Sequence, residues 1–409
     1  MSLRRQFRAF ADGDERLASL GWLTLSALLA FPFLALVVQA DGGPFRFGGV
    51  DFKAYYLAGL RARAGLPLYE SGQFVERVTR PRATEFLYPP AAAVPFAAVT
   101  RLPPVSARWL WTVGQVLFLW WSVLKLAGSF GLSLSRGQRA LAALVVVGFQ
   151  PVFFLTRIGN VSGFMAGMFC LSAAVTVAPE GPERPYLGGA AAALAAAVKP
   201  FAAPAGAHLV GDRRRLVGAT AAVAGLLAVG VAAFGADAHG AYLEVLLAGD
   251  DSAGGDPSAL PFHARPYYRF PGVATVLRGS LLGVAVGASA VAARVGADAR
   301  AFALGAVSIP LVAPGANTLT LVLAGPGLVV ALATEWRASG RPGVVLGSIL
   351  AVQVSVYLVR IVGIYGPMSH PGLPWGLVQH VLVVQPATLG LLAVFSLCVA
   401  RVLARSRDV

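Results

Sequence analysis

Arg213-Arg214-Arg215-Leu216-Val217-Gly218-Ala219-Thr220-Ala221-Ala222-Val223-Ala224-Gly225-Leu226-Leu227-Ala228-Val229-Gly230-Val231-Ala232-Ala233-Phe234 is the stretch that decides the class of fold. Three arginines are followed by nineteen residues without a charge, 216–234. A hydrocarbon core of about 30 Å takes roughly 20 apolar residues per helical crossing. A basic cluster at the mouth of such a run marks a cytoplasmic end. The rest of the chain reads the same way. It has 409 residues, 57% hydrophobic and 13% charged, with a mean hydropathy of +0.70. Soluble domains carry about a quarter charged residues. The composition therefore excludes an ordinary cytosolic enzyme, a disordered chain and a disulfide scaffold. An all-helical integral membrane protein remains, with room for about ten to thirteen spans.

Apolar runs bounded by charge, Gly or Pro predict twelve spans: 19–40, 86–102, 105–127, 139–156, 160–178, 186–209, 216–234, 272–293, 299–313, 317–333, 343–362 and 377–400. The net charge of +14 comes almost wholly from arginine, with only three lysines (Lys53, Lys125 and Lys199) among 33 basic residues. These charges sit at the ends of apolar runs, so positive-inside sorting explains them and nucleic acid is not an expected partner. Twelve spans put Arg4, Arg5, Arg8 and Arg16, the 213–215 triplet, Arg294 and Arg300, Arg337 and Arg341, and Arg401, Arg405 and Arg407 on one face. That face is expected to be the cytoplasm, with both termini there, in the plasma membrane. Segments 41–85, 235–271 and 363–376 then face outward. No cleavable signal, internal repeat or appended soluble domain is expected, and residues 1–409 read as a single polytopic membrane domain. Cys170 and Cys398 lie in apolar runs and read as core residues, not as a disulfide or metal framework.

The first outward segment is the most informative. Asp51-Phe52-Lys53-Ala54-Tyr55-Tyr56-Leu57-Ala58-Gly59 pairs Asp51 with Tyr55, and Phe52 with Tyr56, at i,i+4. It predicts an amphipathic helix on the membrane surface. A carboxylate there, flanked by tyrosines, can accept a proton from a sugar hydroxyl. Asp51 also follows two glycines and suits an N-cap, and spacing alone favours the cap. Phe86-Leu87-Tyr88-Pro89-Pro90 opens the second span, and proline suits a first helical turn. Arg157-Ile158-Gly159-Asn160 is read either as a tight turn at the cytoplasmic surface or as the lining of a polar pocket. Lys199, inside the 186–209 run, is a functional candidate or a lysine snorkelling to the cytoplasmic side. His263, Arg265 and Arg269, with Tyr267 and Tyr268, suit a phosphate site or an interfacial aromatic belt. Asn317 lies in a polar interruption, 314–320, at the outer face. No metal-ligand spacing, phosphate-binding loop, serine-hydrolase elbow or dinucleotide fingerprint is present.

Asp51-Phe52-x-x-Tyr55-Tyr56-x-Ala58-Gly59, with Leu68-Tyr69 after the helix, resembles the first outer loop of glycosyltransferase family 87. Phe86-Leu87-Tyr88-Pro89-Pro90, with Leu102-Pro103 beyond it, resembles the next motif of that family. Gly159-Asn160 stands where the family has Gly-Gln, and Lys199-Pro200 matches its Lys-Pro. The resemblance implies a membrane-embedded C-type fold and a mannosyltransferase using polyprenyl-phosphate mannose. It implies that 41–85 is the catalytic loop and that Asp51 is the general base. Tyr55, Tyr56, Tyr88, Asn160, Lys199 and Asn317 are the expected substrate and donor contacts. The later family motif, rich in serine with an aromatic and an imidazole, is represented here by Ala313–Thr320, which lacks both rings; His263, Arg265 or Arg269 is expected in their place. The expected partners are a polyprenyl-phosphate sugar, a glycolipid or lipid-linked glycan acceptor and membrane lipid, with no cofactor and no metal. The rival readings are a secondary transporter or flippase, for which the buried charges are sparse, and a non-catalytic subunit of a glycan pathway.

Overall fold

The computed structural model describes residues 15–40, 50–69, 86–248, 271–313, 318–360 and 385–407. The described residues are helical, with no strand among them. In chain order they form α1 (Glu15–Ala40), α2 (Val50–Ala64), a 3-10 turn Pro90–Ala93 leading into α3 (Val94–Val99), α4 (Pro104–Ser129), α5 (Arg136–Gly148), α6 (Gln150–Ile158), α7 (Ser162–Thr176) and α8 (Pro185–Val198). A 3-10 segment Pro200–Gly211 leads into α9 (Arg213–Phe234). Then come α10 (Asp237–Ala248), α11 (Pro271–Arg294), α12 (Asp298–Val312), α13 (Thr318–Arg337), α14 (Pro342–Arg360) and α15 (Pro386–Arg407). Among the described residues, five helices are long and apolar enough to cross a membrane: α4, α9, α11 from Thr275, α13 and α15. The pair α5 and α6, bent by 69° at its break, is apolar enough to count as a sixth when taken as one broken span. The protein is an all-helical membrane protein.

Its core is a continuous apolar cluster that includes Leu126 of α4, Phe169 of α7, Phe302 of α12, Leu323 of α13 and Phe395 of α15. Leu110, Leu117 and Trp121 of α4 and Val217 and Leu227 of α9 face outward. Apolar side chains on the outside and small residues at helix contacts are what a lipid solvent selects. Gly189 and Gly218 show the second half of that rule. A Cβ on either would overlap backbone of the facing helix, at Arg215 and Tyr186 respectively, so glycine is what lets α8 and α9 pack this closely.

The bundle has two chemically distinct ends. At one end Arg215 donates to Asp298 (2.5 Å) and to the carbonyl of Thr176, and Arg337 donates to Glu180 and to the carbonyl of Phe130. Arg401 and buried Glu335 form an ion pair at the same end (2.9 Å). These arginines gather at one end, as the orientation argument expects.

Two expected spans are corrected. The 86–102 run holds only a four-residue 3-10 turn and the six-residue α3. Ten residues at 1.5 Å reach about 15 Å, half a hydrocarbon core. Proline at 89, 90, 95 and 103 keeps the segment short. The 186–209 run is not one helix either. It breaks at Lys199-Pro200, where the lysine backbone is extended, and residues 200–211 run back towards the arginine-rich end. Lys199 therefore lies at the tip of a reversal. The same two changes place Asn160 and Lys199 at the end that holds Asp51, not at the opposite, cytoplasmic side where the span count puts them.

The break between α5 and α6 is made at Phe149-Gln150-Pro151 and is covered by one buried side chain. Gln353 of α14 donates from Nε2 to the Gly148 carbonyl (2.8 Å) and accepts from the Gln150 amide on Oε1 (2.8 Å). Backbone groups released inside a bilayer must find partners within the protein, and a carboxamide supplies both a donor and an acceptor.

Candidate active site

The site is assembled around a tight turn between α6 and α7. Gly159 closes α6 in the left-handed conformation (φ 75°), its amide donating to the Leu155 carbonyl (2.8 Å). Here glycine is required twice over. L-residues pay for positive φ, and a Cβ at this position would lie 2.7 Å from that of Phe52. Trp111 of α4 donates from its indole to the Gly159 carbonyl (2.8 Å), and Arg108 donates to the carbonyl of Arg157 (3.0 Å). The turn is thereby held against α2 and α4, and the next residue, Asn160, is buried and aimed at α2.

Asn160 is the hub. Its Oδ1 accepts from the Ser162 amide (2.9 Å), the Ser162 hydroxyl (2.7 Å) and the Lys199 ammonium (2.9 Å). Three donors on one oxygen leave no ambiguity about which way the carboxamide faces. Its Nδ2 therefore points at α2, where it donates to Asp51 Oδ2 (2.6 Å). Lys199 also donates to the Ser162 hydroxyl (3.0 Å). Asp51 and Lys199 form no direct ion pair, because Asn160 lies between them. An ammonium has three donors; two are engaged here, and the Lys199 nitrogen stands 6.0 Å from the centre of the Tyr88 ring.

Asp51 lies one residue inside α2, in its first turn, and its carboxylate is engaged by α7's leading turn 109 residues away in sequence. The cap role favoured by spacing gives way to this long-range contact. Burial raises the Asp51 pKa above the ordinary carboxylate value; the Asn160 hydrogen bond and the Lys199 charge oppose that rise. Behind the carboxylate stand two phenols. Tyr55 accepts from the Val161 amide (3.1 Å) and donates to the Tyr88 hydroxyl (2.8 Å). Its ring is stacked on Phe96 at 5.0 Å. Burial first, then the neighbouring Tyr88 for Tyr55 and the Asp51 charge for Tyr88, pushes both phenols above their ordinary value, so they act as neutral hydrogen-bonding groups.

Of the residues expected from sequence, Asp51, Tyr55, Tyr88, Asn160 and Lys199 come together. Tyr56 does not join them: its hydroxyl donates to the Leu102 carbonyl (2.9 Å) and ties α2 to the segment before α4. His263, Arg265, Arg269 and Asn317 lie outside the described residues. Ser162 and Trp111 were not anticipated. Asn160-x-Ser162 was readable as a polar pair opening an apolar helix. Trp111 sits in an aromatic-rich run, and nothing in its spacing separates it from lipid-facing neighbours. Among the described residues, no group of three or more His, Cys, Asp or Glu side chains is placed to hold a metal.

The sequence model of glycosyltransferase family 87 matches residues 86–314, more than half of the chain. The chain belongs to glycosyltransferase family 87. No curated protein and no solved structure matches it. The family match begins at Phe86 and covers Tyr88, Asn160 and Lys199. Asp51 precedes it, and the fold brings that carboxylate to the family-matched residues. Here a carboxylate, able to take up a proton, and an ammonium, able to hold an anion, are bridged by one carboxamide.

Proposed function

We propose that this protein transfers a hexose, mannose by family implication, from a polyprenyl-phosphate carrier to a glycolipid or lipid-linked glycan at the extracytoplasmic face of the plasma membrane. The observation that carries the reading is the Asp51–Asn160–Lys199 chain of hydrogen bonds, formed at the end of the bundle opposite the arginine cluster. Positive-inside sorting makes the arginine-rich end cytoplasmic, which leaves Asp51 outside and both termini inside.

In this reading Asp51 removes the proton from an acceptor hydroxyl as its oxygen attacks the anomeric carbon. The new carbon–oxygen bond forms on the face opposite the breaking bond to phosphate, so the configuration inverts. The polyprenyl phosphate leaves with the bonding electron pair, and the proton rests on Asp51. The raised pKa of Asp51 makes it a stronger base than an exposed aspartate. The remaining donor of Lys199 faces the departing phosphate, where a fixed cation in a low-dielectric site is most effective. Asn160 holds the two at a set spacing, and Tyr88 contributes a neutral hydroxyl beside them. No cofactor takes part in this scheme.

The test is to supply polyprenyl-phosphate sugars, labelled in the hexose, to membranes with and without the protein. Label is expected in a lipid-extractable glycan only when the protein and an outward-accessible donor are both present. Labelling that instead requires a nucleotide sugar would overturn the carrier assignment.

A further inference from the structure

A cleft of about 440 Å³ lies at the arginine-rich end, opposite the end that holds Asp51. Its walls are the last turns of α4, the connection 130–135, the start of α5 and Glu180 of the α7–α8 turn. These walls are tied together. The Trp120 indole donates to the Arg139 carbonyl (3.0 Å), the Glu180 amide donates to the Ser129 carbonyl (3.0 Å), and the Ser135 side chain caps α5. Two cations line the cleft. The Lys125 ammonium stands 5.7 Å from the centre of the Trp121 ring and makes no hydrogen bond or ion pair among the described residues. Arg139 donates from Nε to the Leu134 carbonyl (3.0 Å), which fixes the guanidinium and leaves its two terminal nitrogens without a partner. The carboxylate in the lining, Glu180, is already neutralised by Arg337 (2.9 Å). Gly128 also lines the cleft, and a Cβ added there would meet nothing within 4 Å. Leu110, Val113, Leu117 and Trp121 are all exposed and stand at i, i+3, i+7 and i+11, one stripe of α4. Lys125 continues that stripe by one turn, so an apolar outer face leads directly to the cations.

We propose that this cleft holds one anionic phospholipid of the leaflet at the arginine-rich end, its phosphate on Lys125 and Arg139 and an acyl chain along the Leu110–Trp121 stripe. An ammonium and a guanidinium with open donors are suited to phosphate oxygens. A basic side chain that only snorkels to the membrane surface needs no cleft around it. Basic pockets between helices at that surface are where lipid head groups are held. Soluble phosphate would use the cations and leave the stripe idle, whereas a phospholipid engages both. The lipid binds the folded bundle alone and therefore also stabilises it. The proposal does not depend on the transferase reading, since the cleft and the Asp51 site lie at opposite ends.

The experiment titrates the full chain, in a neutral detergent, with dioleoylphosphatidylglycerol. Bound lipid is read by native mass spectrometry, and the melting temperature is read on the same samples. One phosphatidylglycerol per chain should bind about 10-fold or more tighter than dioleoylphosphatidylcholine and raise the melting temperature. Lys125→Gln with Arg139→Gln should weaken binding about 10- to 30-fold. Arg136→Gln with Arg213→Gln removes the same charge from exposed positions outside the cleft and should weaken it by less than about threefold. Gly128→Leu keeps every charge and puts a better helix former in α4. It fills the cleft, so binding should fall as far, while the lipid-free protein melts no lower than wild type. Equal affinity of the wild type for the two lipids would overturn the proposal. So would an equal fall in the Arg136, Arg213 pair, or full binding by the folded Gly128→Leu protein. Displacement of the lipid by an equal concentration of inorganic phosphate would overturn it too, and would mark a site for the soluble anion.

Discussion

Asn160→Ala is the perturbation with the most specific expected signature. It deletes the hydrogen bonds to the Asp51 carboxylate (2.6 Å) and from the Lys199 ammonium (2.9 Å), and two from Ser162. Hydrogen bonds to charged groups contribute about 1.5–3 kcal/mol each and neutral ones about 1 kcal/mol. Asp51 and Lys199 are both part-exposed, so water replaces some of this, and a net loss of about 2–4 kcal/mol is expected. Where half or more of that loss falls on the transition state, about 1–4 kcal/mol, kcat/KM drops by about 5- to 1,000-fold, at about 1.36 kcal/mol per decade. The pH dependence discriminates further. The Asn160 hydrogen bond lowers the Asp51 pKa against the larger effect of burial. Removing it raises that pKa, and a base is active only when deprotonated. The acid limb of the rate profile must therefore move to higher pH. The assay is sugar transfer from the labelled carrier across pH, with circular dichroism as the check on folding. A folded variant whose acid limb stays put or moves to lower pH would refute the reasoning.

Three further outcomes are expected. Gly159→Ala combines positive φ with a Cβ 2.7 Å from that of Phe52, and should cost about 2–4 kcal/mol of stability while displacing Asn160; a thermal melt within about 2 °C of wild type would contradict this. Gln353→Leu strands the Gly148 carbonyl and the Gln150 amide at the α5–α6 break, and should lower stability in detergent by about 2–4 kcal/mol; the check is the denaturation midpoint. Glu335→Ala removes the partner of Arg401 and the acceptor for the Arg341 amide, and should cost about 2–4 kcal/mol with the acid limb of transfer unmoved, since it lies at the far end of the bundle.

The membrane class was legible from runs such as 216–234, because transfer from water depends on composition and length, which hydropathy records directly. Asp51 and Lys199 were legible as candidates because charges beside or within apolar runs are costly enough to need a reason. Their convergence was not. Hydropathy counts apolar residues and is blind to a chain that stops short or turns back. At 86–102 it counted a crossing where three prolines leave ten helical residues, and at 186–209 it missed the reversal after Lys199. The two errors offset each other in the total and invert only the sidedness of what lies between them. That is why Asn160 was expected opposite Asp51 although it donates to it. The Asp51–Asn160 pair spans 109 residues, and no local periodicity reports a contact of that range.

The central claim is that the Asp51 carboxylate acts as the base. Asn at position 51 keeps the shape and can still accept from Asn160 Nδ2, so the fold should persist. The decisive measurement is the single-turnover rate of hexose transfer from the labelled carrier by Asp51→Asn. A fall of about 10²- to 10⁴-fold is expected, with unchanged carrier binding and an unchanged melting temperature. Transfer at the wild-type rate by the folded Asn variant would contradict the account.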